Sequence, residues 1–355
     1  MRAVRVTPDQ HLAVENVDLA PEPGEVLLKV HDCGICGTDL HTLRYPTVFN
    51  TKPGTILGHE FSGEIAAVTE GVTNWQAGDR VVSLPVMNCG ECPECTAGYD
   101  WHCVRSLGHG LNLAAIPGAF AEYVRVSPHA LLPIPDSLSN RHAALTEPLA
   151  VALHSVNRVR LQANEPCIIM GAGPVGLFTL VWAKLLRSGE RGAKIQGDAP
   201  IVASDPSPAR RNLALALGAD AAVDPTDTNP TATLRELADG AYPAVVFECV
   251  GTPAALQDAM SMAGRNARVS VTGVCLQPYE LRPMTAHGKE LEVHYVFAYT
   301  RDEFQESLDA LARGDIHADQ LITDVITLDE VPAMFDALAH PTSQVKVLVE
   351  PALSR

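Results

Sequence analysis

The chain has 355 residues, of which 19% are charged and 46% hydrophobic, a globular composition long enough for two domains and unlike that of disordered or fibrous chains. A formal net charge of −16 argues against nucleic-acid binding, which needs a basic face. Apolar runs are broken by Gly, Pro or charge well short of the roughly 20 residues of a membrane helix, and the opening MRAVRVTP lacks the apolar core of a signal peptide. The expectation is a protein of a reducing, cytoplasmic compartment that meets neither nucleic acid nor membrane.

Up to about residue 135 the pattern is one of short strands, near 25–30, 61–68, 80–84 and 120–126, separated by Pro-Gly and Ala-Gly-Asp breaks. From about residue 139 the character changes to alternating strands and helices. Strands are expected at 167–170, 201–204, 221–223, 244–248 and 267–272, with helices at 174–186, 207–217, 231–238 and 253–262 between them. That alternation predicts an α/β unit with a parallel, doubly wound sheet. After about residue 290 the pattern is mixed again, with helices at 302–311 and 329–338 and a strand at 345–349. The expected division is 1–146 completed by 290–355, with 147–289 as the dinucleotide-binding domain.

Within the first part, Cys89, Cys92, Cys95 and Cys103 lie in CGECPECTAGYDWHC, spaced C-x2-C-x2-C-x7-C. Four thiolates on one loop match the tetrahedral preference of zinc and leave no position for substrate, so a structural zinc is expected. A pair of disulfides is the alternative, and a reducing compartment disfavours it. His102 and Trp101 sit inside this loop but are not needed to fill the shell.

The run Gly171-Ala-Gly173-Pro174-Val175-Gly176 follows the apolar strand 167–170 and opens a helix. The first glycine allows the turn, the second lets the backbone approach a pyrophosphate, and the third lets helix and strand pack closely. The helix N-terminus then presents N–H groups and a positive dipole end to phosphate. A lone glycine motif is weak evidence; the strand before it and the helix after it are what make it a dinucleotide loop. Asp205, at the end of the next strand, is the expected partner of the adenosine ribose. It falls 29 residues after Gly176 (205 − 176), where about 20 is usual, the excess being a polar stretch at 188–199 read as a lengthened loop. A carboxylate there favours NAD, whereas Arg210 and Arg211 keep NADP in play.

Three separated segments offer ligands for a second zinc: Cys36 in CGICGTDLH, His59 and Glu60 in GHE, and Glu147 in TEPLA. A catalytic zinc takes about three protein ligands and keeps one position open. Each residue alone has a bland reading as a buried thiol, a core histidine or a surface carboxylate, and spacing cannot show that they converge. Cys33 and Cys36 also form a CxxC, but the redox-dithiol reading expects a thioredoxin-like βαβ context that these β-rich surroundings lack.

CGTDLH, GHE, AGDRV, the four-cysteine loop, GAFAEYV, EPLAVALH, GAGPVG and ECVG occur in order from residue 36 to 251. In these pieces the chain resembles the medium-chain, zinc-dependent alcohol/polyol dehydrogenases, over essentially its whole length. The resemblance implies a GroES-like β-rich catalytic domain, completed by the C-terminal tail, and a Rossmann domain in the middle. It implies that Cys36, His59 and Glu147 bind catalytic zinc, that Glu60 binds directly or exchanges with water, and that Cys33 is no ligand. Glutamate at 147 makes the chain similar to the sorbitol, threonine, butanediol and glucose dehydrogenase branch.

The chemistry so implied is hydride transfer from a secondary alcohol or polyol CH–OH group to NAD, with zinc as the Lewis acid that acidifies the alcohol. By resemblance Thr38 receives the alcohol proton and passes it through the cofactor ribose to His41, a side chain that titrates near working pH. Asp39 is expected to accept the second ring N–H of His59 and so fix its tautomer. A turn cap, a surface histidine and an exposed aspartate are the ordinary alternatives for Thr38, His41 and Asp39. His109 and His154 are expected to serve packing more than substrate. The competing functions are an NADP-dependent aldose dehydrogenase, a zinc-independent reductase and a non-catalytic dinucleotide sensor. A homodimer or homotetramer is expected from the resemblance alone.

Overall fold

The computed structural model describes residues 1–105, 117–188, 199–339 and 343–353. His109 and most of the polar stretch read as a lengthened loop lie outside the described residues. The chain divides into two compact units, Met1–Glu147 with Thr300–Arg355, and Pro148–Tyr299.

The first unit is built on a sheet whose strands run in the order Ile322–Ile326, Lys346–Val349, Val26–Gly34, Glu60–Val68, Arg80–Ser83 and Leu131–Pro133, with Tyr123–Val126 also paired to Val26–Gly34. The two C-terminal strands pair in parallel, and the remaining pairs are antiparallel. Val26, Leu28 and Val30 alternate inward along their strand and pack with Phe61, Phe120 and Phe335. Phe120 meets Phe335 edge to face with ring centroids 5.9 Å apart. The strand expected from residue 120 begins at Tyr123, because Phe120 N–H instead bonds the Leu57 carbonyl and Ala121 forms only an isolated bridge to Ala3. Helix Gly37–Arg44, which the strand-like pattern concealed, carries Thr38, Asp39 and His41, and helix Thr146–Arg158 carries Glu147 near its start.

The second unit is a six-stranded, all-parallel sheet in the order Ala221–Val223, Ile201–Ser204, Cys167–Met170, Val245–Glu248, Arg268–Val271 and Glu292–Tyr295. Its central strands are buried on both faces, as the continuous apolar runs CIIM and IVAS require. The strand order reverses between Cys167–Met170 and Val245–Glu248, the position at which such sheets open a crevice at their carboxyl ends. The parallel α/β architecture expected from the alternation is what the structure has. The return to the first unit comes at Thr300, ten residues later than the expected 290, because Glu292–Tyr295 pairs in parallel with Arg268–Val271 and closes this sheet.

Candidate active site and cofactor loop

Cys36 lies where Val26–Gly34 ends and helix Gly37–Arg44 begins, and it is the N-cap of that helix. The third helical residue, Asp39, returns a side-chain oxygen (Oδ2) to the Cys36 N–H at 2.9 Å, which pins the turn. Its other oxygen, Oδ1, accepts the Gly58 N–H at 3.2 Å and lies 3.3 Å from His59 Nδ1, within ion-pair range but not aligned as a hydrogen bond. Gly58 has φ +96° and a Cβ there would meet the Phe120 ring at 2.7 Å, so glycine is required where the chain turns to present His59. One buried carboxylate thus ties the cysteine turn to the histidine turn.

The structure brings Cys36, His59 and Glu60 together, with one ligand atom of each within 4.8 Å of the others. Glu147, expected from the resemblance to complete the set, lies outside that group; it is buried at the start of Thr146–Arg158, and its charge acts on Lys346. Cys33 is also outside the group. It belongs to the apolar core, and burial pushes its thiol pKa well up, which opposes a redox role.

Lys346 is the residue of this site that sequence reasoning missed. It is 1% exposed and donates to Glu60 Oε2 at 2.6 Å, Glu60 Oε1 at 2.8 Å and the Ile35 carbonyl at 3.1 Å. Burial alone would lower its pKa, but Glu60, Cys36 and Glu147 overcome burial and raise it. Burial likewise disfavours charge on His59, yet Asp39 and Cys36 raise its pKa well above the ordinary histidine value. Asp39, Glu60 and Glu147 are thus three buried carboxylates of this site, with Lys346 and His59 as their counter-charges. A sulfur, an imidazole nitrogen and a carboxylate oxygen so placed fit zinc.

Thr38 and His41 share the helix with Cys36. The Cys36 thiol donates to Thr38 Oγ1 at 3.6 Å. His41 is half-buried, its Nδ1 makes no hydrogen bond among the described residues, and burial together with Arg44 lowers its pKa.

The second cluster is the loop of Cys89, Cys92, Cys95 and Cys103, whose four sulfurs also lie within 4.8 Å of one another. Cys92 N–H points at Cys89 Sγ (3.4 Å), and Cys89 and Arg105 N–H point at Cys103 Sγ (3.5 and 3.4 Å). Backbone N–H groups lower the Cys89 pKa to about 6, whereas burial raises Cys95 to about 12. One thiol ionises readily and its neighbour resists, the state of crowded sulfurs that a divalent ion relieves. All four are free thiols, and His102 is exposed outside the cluster.

In the second unit Gly171 adopts φ +85°, a Cβ on Gly176 would lie 1.8 Å from the Gly171 carbonyl oxygen, and Gly173 faces open space with only Arg210 near. Pro174 and Val175 begin the helix Pro174–Ser188. Asp205 is buried, accepting the Ala172 N–H on Oδ2 and the Ser207 N–H on Oδ1, both at 2.8 Å, so it braces the glycine loop. Arg210 Nη1 lies 3.8 Å from Asp205, and Arg210 Nε has no hydrogen bond among the described residues. Arg211 donates to the Asp205 and Pro206 carbonyls at 2.7 and 2.8 Å and pairs with Asp224 at 2.9 Å. His154 lies half-buried in Thr146–Arg158. Glu248 accepts the N–H groups of Val250 (2.7 Å) and Gly251 (2.8 Å), a brace for the neighbouring turn.

Residues 22–136 match the family model of the alcohol dehydrogenase GroES-like domain, and residues 191–313 that of the zinc-binding dehydrogenases. The chain is 34% identical to (R,R)-butanediol dehydrogenase of Bacillus subtilis (strain 168) over 99% of its own length and 100% of the relative's. It is 32% identical to sorbitol dehydrogenase of the same organism, over 92% of this chain and 90% of the relative. Among solved structures, a zinc-binding dehydrogenase from Sinorhizobium meliloti 1021 bound to NADP superposes with a TM-score of 0.85 and 32% identity over 99% of both chains.

Proposed function

The chain belongs to the zinc-dependent medium-chain alcohol/polyol dehydrogenase family, and on that premise we propose that it oxidises a secondary alcohol or polyol CH–OH group with NAD as hydride acceptor. The observation that carries this reading is the convergence of Cys36 with the buried His59 and Glu60 beside Thr38. In this reading Cys36 and His59 hold a catalytic zinc with a carboxylate from Glu60 or Glu147, and the four cysteines hold a structural one. Zinc there supplies Lewis-acid chemistry, acidifying a hydroxyl group near neutral pH. Asp39 orients the His59 ring, and Thr38 takes the substrate proton and hands it on toward His41, whose lowered pKa keeps it neutral and able to accept.

Gly171, Gly173, Pro174, Val175 and Gly176 seat the dinucleotide phosphates at the helix N-terminus, and Asp205 bonds the ribose. NADP use is the second reading, favoured by Arg210, whose Nε has no hydrogen bond among the described residues. The cofactor and substrate are read together by kcat/KM for secondary alcohols, polyols, threonine and aldoses, each with NAD and with NADP. Turnover of secondary alcohols or polyols with NAD supports the proposal; reduction of activated alkenes that survives zinc removal overturns it.

The reading includes a homodimer or homotetramer. In its support, Glu292–Tyr295 is an edge strand of the parallel sheet with exposed aromatic side chains at and just after its end, Tyr295 at 63% and Phe297 at 70%. It also includes a cytoplasmic location, since thiolate ligands persist in a reducing compartment. Among the described residues no helix is long and apolar enough to cross a membrane.

A further inference from the structure

Lys346 stands out as a lysine with no access to water. Its strand Lys346–Val349 pairs antiparallel with the end of Val26–Gly34, Leu348 facing Gly34 and Val349 facing Cys33, and the Ile35 N–H bonds the Val347 carbonyl at 2.9 Å. That register delivers the lysine head group to the start of the cysteine turn. Its three ammonium protons are all used, two by the Glu60 carboxylate and one by the Ile35 carbonyl. Glu60 in turn lies against Gly34, where a Cβ would be 2.0 Å from Oε2, so the carboxylate has a seat made by a missing side chain on one side and an ammonium on the other.

Both oxygens of Glu60 are thus held by Lys346 while the carboxylate is still within 4.8 Å of the ligand atoms of Cys36 and His59. The carboxylate stands at a fork between two cations, the ammonium and any ion held by Cys36 and His59. Buried opposite charges pair strongly in a low dielectric, and an anion deprived of one partner turns to the next. We propose that Lys346 is a positioning residue that holds Glu60 back from the catalytic metal, so that the metal keeps a coordination position open for the substrate hydroxyl. The proposal rests on the reading of Cys36 and His59 as ligands and adds a role for the C-terminal strand in that site.

The test compares the zinc holoenzyme with Lys346→Met, Lys346→Arg, Glu60→Gln and the double variant Lys346→Met/Glu60→Gln. The readouts are the rate of zinc loss to a chelator, the visible spectrum after cobalt substitution, and kcat and KM for the alcohol. In Lys346→Met, Glu60 closes the metal shell: the catalytic metal leaves about 10- to 100-fold more slowly, the cobalt bands shift, and kcat falls by a similar factor. Lys346→Arg retains the parent behaviour, and removing the carboxylate in the double variant returns metal release and kcat to those of Glu60→Gln. Unchanged or faster metal loss in Lys346→Met, or a double variant as impaired as that single variant, overturns the proposal. If Lys346→Met does not fold, a double variant that differs from Glu60→Gln in kcat or metal release overturns it equally. Metal release and cobalt spectra report on Lys346 even if no alcohol is turned over, so failure of the proposed activity is distinguishable from failure of this role.

Discussion

The two cysteine-containing clusters teach different lessons about how a chain makes a metal site. The loop of Cys89, Cys92, Cys95 and Cys103 draws every ligand from one short segment, and its own N–H groups already point at its sulfurs. The other cluster takes Cys36 from a helix cap and His59 and Glu60 from the start of a strand, and its counter-charge, Lys346, comes from the C-terminal end of the chain. The first site is saturated by four like ligands and suits a structural ion; the second mixes sulfur, nitrogen and oxygen and is poised for chemistry. A local loop can form its site early and alone, whereas the scattered site exists only once the sheet is in register.

Substitution at each cluster breaks that contrast in a different way. Cys36→Ser removes a ligand of the working site: turnover falls by at least about 1,000-fold, since a Lewis acid is worth several kcal/mol of barrier, while one zinc per chain remains. Elemental analysis and kcat measured on the same preparation check this, and undiminished activity sinks the assignment. His41→Gln lowers kcat for alcohol oxidation by roughly 100-fold, as removal of a proton acceptor does. Because burial lowers the His41 pKa, its neutral form persists below the ordinary histidine range near 6.5, so the acid limb of the parent pH profile lies below that value. The limb disappears in the variant; a pH profile with the limb unmoved removes His41 from the proton path.

Asp205→Ala tests whether the second unit follows the same rule of shared support. On the proposed reading of Asp205 as the ribose partner, its loss raises KM for NAD about 10- to 100-fold and narrows the preference over NADP. Steady-state kinetics with both cofactors decides it, and an unchanged ratio transfers the selectivity to other residues. The smallest effect on chemistry is expected from Cys95→Ser in the four-cysteine loop. It lowers Tm by roughly 5–10 °C through loss of the structural ion, yet kcat per folded chain stays within about threefold. A collapse of kcat with Tm intact would make that loop part of the working site.

Much of this was legible in the residues. The four-cysteine spacing, the glycine loop between a buried strand and a helix, and the parallel sheet all follow from patterns a few residues long. Cys36, His59 and Glu60 were visible as ligand types but not as neighbours, because their approach depends on Gly34 pairing with Glu60 across two strands. Lys346 was invisible: nothing in VKVLV distinguishes it from a solvated lysine, and only its neighbours reveal a buried ion pair. The expected boundary near residue 290 precedes the division at Thr300 because EVHY, half exposed at the edge of its sheet, lacks the apolar run of a central parallel strand.

By itself the sequence determined which residue types are available and the loops whose geometry is local, since spacing along a chain sets distance only over a turn or two. The tertiary structure alone decided which carboxylate stands with Cys36 and His59, and that a lysine from the last strand would hold it. The reason is physical: strand register couples residues hundreds of positions apart, and a buried charge takes its character from whatever that register places beside it.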